Sequence, residues 1–552
     1  MKISDAVAAA VKAEGGTAFG LMGDGNIPLW GAMVAAGIKI HSARHEAAAI
    51  AMADGYFRVT GQVGIATVTW GPGLTQVGTS LMAAARNRSS LVLLLPELPA
   101  GSKNKLQLMD QRPFVESCET RYLRLSRADN LAEDIAEAFY AARLHRQPVA
   151  LAMPIDMLEQ VMEWETDYRP SATFMPAPQG ADPAAIDSLI DQLLAAQRPI
   201  IVAGRGAKSS GARDEIIGLA DRVGALLATS LQAKGLFDGH EFDIGIAGAF
   251  ASRPSEALCV DADFVLGVGA EVGYYTSEGG LLFPSATVTR IDIDVPAQIG
   301  VLPGQFVRGD ARKTVCAINA QLDRRGMKAT GYRSSQTRAV MAAPTPAIAK
   351  PTDGLDPRLL MRELSRALPA GSQVACGAGH FFGFVGMYLA LPEGGDIQFS
   401  SQFGAVGQTL PLAIGMALAQ PGRPRILIEG DGSLLFHIQE LNSVVYHRVH
   451  MVIVLLNDAG YGAEVHKLHS LRLDAALARW ASPDYVALAK AFGGDGVLLE
   501  RESDLPAVFK RGLASGGLFL IDCRISPTTL SDPYEKIHRG GENKAPLLRR
   551  PT

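Results

Sequence analysis

Two acidic residues set in glycine-bearing turns, 27 positions apart, carry the clearest chemistry in this sequence. Asp431 lies in Gly430-Asp431-Gly432, where the strand-like run Ile426-Leu427-Ile428 breaks. Asp458 lies in Asn457-Asp458-Ala459-Gly460, directly after the run Val452 to Leu456. A helical segment is expected between them, so the pattern is strand, acidic turn, helix, strand, acidic turn. Both turns fall at the carboxyl ends of strands in an α/β pattern, which is where such sheets bind ligands. A hard divalent cation that shares a diphosphate needs one or two carboxylates, a carbonyl and the phosphate oxygens themselves. Asp431 and Asp458 offer the carboxylates, and the Gly460 carbonyl offers a third oxygen. Each turn alone is an ordinary tight turn; together they offer the oxygen ligands that a cation shared with a diphosphate needs.

Other residues are candidates for supporting roles. Glu46, in Ser42-Ala43-Arg44-His45-Glu46, sits where a strand end meets an Ala-rich helix; an acid there also serves the helix dipole. Gly404-Ala405-Val406-Gly407-Gln408 precedes the Ala-rich helix Leu412 to Ala419, and small residues permit close backbone approach to a ligand; a helix-packing turn is the alternative. Gly377-Ala378-Gly379-His380 ends an earlier strand and Ser433 follows the first acidic turn, both placed to donate to phosphate oxygens. His380 reads equally as a surface histidine. Glu464, six positions after Asp458, is either a proton donor or a solvated residue paired with Lys467 at i,i+3. Gln107, in Leu106-Gln107-Leu108-Met109, is a candidate for hydrogen-bonding substrate oxygens.

Positioning these residues takes more than one domain. At 552 residues the chain exceeds a single core. A hydrophobic content of 48%, a charged content of 20% and 7% aromatics describe an ordinary α/β enzyme, and a formal charge of −4 argues against a nucleic-acid surface. Five cysteines without CxxC spacing imply neither a disulfide framework nor a zinc site and fit a reducing, cytoplasmic setting. Asp5, Lys12 and Glu14 interrupt the apolar N-terminus at helical spacing, so it reads as an amphipathic helix rather than a targeting signal. No uncharged apolar run is long enough to span a membrane. Apolar strands alternating with helices predict three α/β units of doubly wound parallel sheet, at residues 1–165, 184–322 and 357–552. The Pro-rich stretches 166–183 and 324–356 read as linkers, and the polar tail from Ser526 is expected to loop back over the surface. In the second unit, Gly204-Arg205-Gly206-Ala207 lacks the third glycine of a dinucleotide fingerprint and reads as a plain turn. The first and third units each bear a Gly-Asp-Gly turn (Gly23-Asp24-Gly25 and Gly430-Asp431-Gly432), which hints at duplication.

The acidic turns at this spacing resemble the signature of thiamine-diphosphate-dependent enzymes, and the resemblance extends over nearly the whole chain. It implies an N-terminal pyrimidine-binding domain, a central Rossmann-like domain and a C-terminal diphosphate-binding domain. Asp431, Asp458 and the Gly460 backbone fall on the Mg²⁺ ligands, with Asp458 where the family more often has Asn. Glu46 falls on the acid that hydrogen-bonds N1′ of the aminopyrimidine, Gly404 on the backbone contact to that ring, and Val406 on the apolar wedge that bends the cofactor. Gly377, Gly379, His380, Gly430, Gly432, Ser433 and Tyr461 fall on the cofactor-binding surface. Gln107 resembles the pocket glutamine of acetolactate synthases and benzaldehyde lyase, and Glu464 the acid of pyruvate-decarboxylase-like members. The central domain holds FAD in acetolactate-synthase-like members, which leaves a flavin open here but not favoured. The implied activity is acetolactate-synthase-like lysis or ligation of a carbon–carbon bond of a 2-oxo acid through a cofactor-bound carbanion, with an aldehyde or second oxo acid as acceptor. The alternatives are a dedicated 2-oxoacid decarboxylase using Glu464 and a degenerate cofactor-binding homologue. The implied assembly is a homodimer or a dimer of dimers, with Glu46 and the metal turns of one site supplied by different chains. Ala- and Gly-rich helices, Ala47 to Gly55 and Leu412 to Ala419, suit close contacts of that kind.

Overall fold

In the computed structural model, the described residues are 1–99, 101–102, 106–163, 168–295, 304–326, 331–343 and 349–539. Parts of both Pro-rich stretches and the end of the tail therefore lie outside the described residues. Each Pro-rich stretch carries a short helical element, Ser171–Phe174 and Ser335–Met341.

Three six-stranded sheets, all parallel, account for the fold. The first comprises β1 (Thr17–Gly20), β2 (Lys39–Ser42), β3 (Gly64–Thr67), β4 (Leu91–Glu97), β5 (Arg121–Arg124) and β6 (Pro148–Pro154), in the order β2-β1-β3-β4-β6-β5. The second comprises β7 (Pro199–Ala203), β8 (Leu226–Thr229), β9 (Asp243–Ile246), β10 (Phe264–Val268), β11 (Thr287–Asp292) and β12 (Phe306–Arg308), in the order β12-β11-β10-β7-β8-β9. The third comprises β13 (Gln373–Cys376), β14 (Asp396–Phe399), β15 (Arg425–Gly430), β16 (Met451–Asn457), β17 (Asp495–Leu498) and β18 (Leu518–Arg524), in the order β14-β13-β15-β16-β18-β17. Central strands such as β4 and β16 are buried along nearly their whole length, as both-face coverage by helices requires.

The chain divides into two compact units. One contains the first and third sheets: residues 1–176, 353–381 and 392–527. The other contains the second sheet, residues 177–352, joined by 382–391 and the segment from 528 onward.

Within the first unit, the two sheets have the same strand order, so the helix after β2 (Glu46–Thr60) and the helix after β14 (Thr409–Ala419) are counterparts. They pack directly on each other. A Cβ on Gly55 would lie 2.1 Å from the Leu412 carbonyl oxygen, and one on Gly415 would lie 1.9 Å from that of Met52. Neither position admits a side chain, and this reciprocal glycine pair sets the crossing. Their small residues, expected to suit contacts between chains, therefore serve a contact inside one chain. The two Gly-Asp-Gly turns are not counterparts: one follows β1, the first strand of its sheet, and the other follows β15, the third. The evidence for duplication is the shared strand order, not the shared tripeptide.

Candidate active site

β15 and β16 are adjacent, with Gly430 opposite Leu456, so Asp431 and Asp458 leave neighbouring parallel strands one step apart in register. Asp431 opens a short helix, Asp431–Phe436, and is 1% exposed. Its carboxyl lies beside that of Asp458, and its Oδ2 is buried without a partner. Burial and the neighbouring Asp458 push the Asp431 carboxyl upward; burial pushes Asp458 upward too. Two carboxyls this close share a proton when no cation separates them.

The second turn is braced from below. Asn457 Nδ2 donates to Ser482 Oγ at 3.0 Å and to Asp522 Oδ1 at 2.9 Å, while its Oδ1 accepts the Ala459 N–H at 3.1 Å. That bond holds Ala459 in the left-handed region, φ 56°, and turns the chain back so that Asp458 faces Asp431. A Cβ on Gly462 would lie 2.1 Å from Asp458 Oδ2, so only glycine leaves the carboxyl room. No cluster of three or more His, Cys, Asp or Glu side chains is present among the described residues. Two hard carboxylates with an orphaned buried oxygen fit a Mg²⁺-like ion whose remaining ligands are carbonyl, phosphate and water oxygens.

The other predicted residues of the third sheet surround this pair. Gly377 follows β13 and lies against Glu429, the strand residue before the first turn; a Cβ there would be 1.9 Å from Glu429 Oε1. Glu429 is fully buried, which pushes its carboxyl up to about 8. Gly379 has φ +149°, and Gly404 has φ +69° on an exposed stretch where a Cβ would meet nothing within 4 Å. Gly407 N–H donates to Ser433 Oγ at 2.8 Å, and Gly407 O pairs with His437 Nδ1 at 2.7 Å. The segment bearing half-buried Val406 is thus fastened to the helix after the first acidic turn. Ser433 Oγ accepts this bond, which leaves its O–H to donate.

His380 is 5% exposed rather than a surface histidine. Its ring lies 4.4 Å from that of His466, and burial with that neighbour lowers its pKa to about 3, so it is a neutral imidazole. Tyr461 packs edge-on against Trp480, ring centroids 4.8 Å apart; both rings stand over Gly432, where a Cβ would come within 2.9 Å of each. Glu464 is exposed on the helix Gly462–Ser470, and no ion pair joins it to Lys467 among the described residues.

Glu46 and Gln107 belong to the first sheet. Glu46 is the first residue of its helix, half-buried, with its carboxylate beside Gly73. Its place in the first turn also suits the helix dipole, and the N-cap bond is made by His45, whose Nδ1 accepts the Ala47 N–H at 3.1 Å. Among the described residues no hydrogen bond or ion pair joins Glu46 to either acidic turn. Gln107 Oε1 accepts the Trp70 indole N–H at 2.8 Å, which fixes the amide and leaves its nitrogen available. Asn457, Glu429 and Trp480 are the residues sequence reasoning passes over. Of these only Asn457 carries a signal, as the other half of the Asn-Asp pair.

Three family models match the chain in order. They describe the N-terminal thiamine pyrophosphate (TPP) binding domain of thiamine pyrophosphate enzymes over residues 1–114, the central domain over 186–318 and the C-terminal TPP binding domain over 377–523. The chain belongs to the thiamine-pyrophosphate-dependent enzymes. Similar proteins include an acetolactate synthase of Arthrospira platensis, 26% identical over 95% of this chain and 94% of that protein. A sulfoacetaldehyde acetyltransferase of Alcaligenes xylosoxydans xylosoxydans is 27% identical over 89% of this chain and 87% of its own length. A Pseudomonas aeruginosa protein named as a probable 2-ketoarginine decarboxylase is 27% identical over 92% and 91%. The family thus includes carboligases, decarboxylases and acetyltransferases, and the cofactor is thiamine diphosphate. No helix among the described residues is long and apolar enough to cross a membrane.

Proposed function

We propose that this thiamine-diphosphate enzyme is Mg²⁺-dependent and joins or cleaves the carbon–carbon bond beside the carbonyl of a 2-oxo acid, with an aldehyde or second oxo acid as acceptor, in the cytoplasm. The observation that carries the reading is the pair of neighbouring buried carboxyls, Asp431 and Asp458, at the ends of adjacent strands β15 and β16, with an orphaned buried oxygen on Asp431. Asp431, Asp458 and the Gly460 carbonyl hold the Mg²⁺, which ties the diphosphate to the third sheet. Gly377, Gly379, His380, Gly430, Gly432, Ser433 and Tyr461 line that end of the cofactor; Gly404 and Val406 support its ring end. When bound, thiamine diphosphate supplies the carbon that adds to the oxo group and takes up the electrons of the broken bond. Glu46 holds a proton at its carboxyl for the aminopyrimidine, a role that needs an acid close and fixed in geometry. Gln107, anchored by Trp70, presents its amide nitrogen to a substrate oxygen. The second reading is a dedicated decarboxylase, in which Glu464, on the helix after the second acidic turn, serves as the acid. Incubating the enzyme, thiamine diphosphate and Mg²⁺ with a panel of 2-oxo acids, with and without aldehydes, tests the reading. A new 2-hydroxyketone is expected. Aldehyde and CO₂ alone would make it a decarboxylase, and no turnover with bound cofactor would make it a binding protein.

The active site lies between two chains of at least a homodimer. Among the described residues no hydrogen bond or ion pair joins Glu46 to the acidic turns of its own chain, and exposed apolar residues flank both halves of the site. Leu106 and Leu108 flank Gln107, Phe403 precedes Gly404, and Leu435 and Phe436 follow Ser433. A two-fold pairing covers these faces and makes two equivalent sites. Mixing Glu46→Gln with Asp431→Ala subunits regains activity, because hybrid dimers carry one intact site. Mixtures as inactive as either parent would place each site within one chain.

A further inference from the structure

A cavity of about 700 Å³ opens in the unit that holds the first and third sheets, and none of the residues lining it has a role in the scheme above. It runs along β2, the edge strand of the first sheet, between the helix Ile27–Ala35 and the end of the helix Glu440–Tyr446. Small-molecule sites span roughly 300–1,000 Å³, so the volume is that of a ligand site. Its charge is one-sided. Lys39 and Arg44 line it, no Asp or Glu does, and burial lowers His447 as well as His41, the latter to about 4, so neither imidazole adds charge at neutral pH. Lys39 makes no ion pair among the described residues. Arg44 Nε donates to Asn442 Oδ1 at 2.7 Å and Nη1 to the Ala43 carbonyl at 3.3 Å, while Nη2 makes no hydrogen bond among the described residues. Glu440 accepts the Arg44 backbone N–H at 2.9 Å from behind the wall, and burial raises its carboxyl. Two cations in a chain of formal charge −4 thus share a cavity with no carboxylate in its lining.

The walls are aromatic and fixed. The His41 ring meets that of His447 edge-on at 5.0 Å, and His447 meets Tyr446 edge-on at 4.9 Å. His447 Nε2 pairs with the Ser42 carbonyl at 2.8 Å, and the Arg44 guanidinium lies over the Tyr446 ring, 4.9 Å from its centroid. Trp30 is held against Gly20, where a Cβ would come within 2.8 Å of the indole. Tyr446 nevertheless stays 64% exposed, so its ring has area left to cover. We propose that this cavity is a binding site for a small organic anion, a phosphate or carboxylate carried on a flat apolar body. Lys39 supplies a point charge on a flexible stem and Arg44 Nη2 a directed donor, both to the anionic oxygens. Trp30 and Tyr446 cover the body, as aromatic rings do at low entropic cost. An occupant touches β2 and the helix Glu440–Tyr446 together, and these belong to different sheets of the unit. Binding therefore stabilises the fold by mass action.

The test titrates phenyl phosphate, benzoate and uncharged benzyl alcohol into the protein, with calorimetry and melting temperature as readouts. Thiamine diphosphate and Mg²⁺ are present throughout, so that the probes do not compete for the diphosphate site. At least one anion is expected to bind once per chain, to raise the melting temperature, and to bind about tenfold or more tightly than benzyl alcohol. Lys39→Gln is expected to weaken that anion about tenfold, the worth of one charge-assisted hydrogen bond, and Lys39→Arg to keep it. Tyr446→Ala is expected to weaken it as well. Lys39 is exposed at the start of its strand, so the unliganded Lys39→Gln protein should melt with the wild type. Binding of phenyl phosphate alone, or of benzoate alone, identifies the anionic group. Neither anion binding at millimolar concentration, benzyl alcohol binding as tightly as the anions, or wild-type affinity in Lys39→Gln would each overturn the proposal. A protein that takes up no thiamine diphosphate would overturn the cofactor reading without touching this one. The same titrations on the apoprotein then decide it, because Lys39 lies outside the third sheet and its substitution weakens only an anion bound beside β2.

Discussion

The carboxyl ends of β13 and β15 and those of β7 and β10 are the same place in two sheets, the point where strand order reverses and a crevice opens. The third sheet keeps that place for a ligand. Gly377 follows one strand, Glu429 and Asp431 lie at the end of the other, and Asp431 keeps a buried oxygen without a partner. The second sheet stitches it shut. Gly204 N–H donates to Val268 O at 2.9 Å and Gly206 N–H to Gly269 O at 3.0 Å, and a Cβ on Gly204 would lie 2.2 Å from Gly269 O. The N–H groups that a pyrophosphate would take there are spent on the neighbouring loop. Topology offers both sheets a site, and a few turn residues decide which one uses it.

The sharpest way to break this comparison is to remove the acid that marks the open crevice. Asp431→Ala takes a carboxylate from an octahedral ion that has only two, and thiamine diphosphate binding in the presence of Mg²⁺ is expected to be lost. Calorimetry on the apoprotein measures it directly; wild-type affinity would dismiss the site. Asp458→Asn keeps an oxygen ligand and relieves the like-charge pair, so it is expected to be mild.

A smaller effect should follow from the other end of the cofactor. Glu46→Gln leaves the third sheet untouched, so thiamine diphosphate and Mg²⁺ are expected to stay bound. Exchange of the C2 proton is expected to slow about a hundredfold, the usual size of general acid–base assistance. NMR of the bound cofactor follows that exchange. A wild-type rate would take Glu46 out of the chemistry, and loss of the cofactor would make it a binding residue.

The contrast between the two crevices is partly legible in the amino-acid sequence. Central strands such as Leu91–Glu97 and Met451–Asn457 read as unbroken apolar runs because both of their faces are covered, and alternation with helices then dictates parallel sheets. The missing third glycine after Ala203 suggests a plain turn, since that glycine is what lets the following helix pack closely on the strand in a dinucleotide site. Other features have no local signal. Glu429 is a single acid near the end of the strand Arg425–Gly430, and its close approach to Gly377 depends on two loops converging in space. The small residues of Glu46–Thr60 and Thr409–Ala419 announce a close helix contact but not its partner, which proves to be the other helix of the same chain. The repeated Gly-Asp-Gly misleads for a related reason: a tripeptide records a turn, and only strand order tells which turn it is.

The smallest expected effect sharpens the comparison from the closed side. Gly204→Ala places a methyl 2.2 Å from Gly269 O and 2.7 Å from Ala270 Cα, both backbone atoms that cannot swing aside as a side chain would. Gly204 itself has φ −115°, which alanine adopts freely, so the penalty is overlap with the neighbouring loop and not backbone strain. Overpacking of this kind costs about 1–3 kcal/mol. The loop after β7 must therefore separate from the loop after β10, breaking the Gly204–Val268 and Gly206–Gly269 bonds as it moves. The expected result is a lower melting temperature with thiamine diphosphate affinity unchanged, since no predicted cofactor residue lies in the second sheet. Weakened cofactor affinity at an unchanged melting temperature would mean the reverse: that the closed crevice of the second sheet takes part in binding, and that the two switch points differ in degree and not in kind.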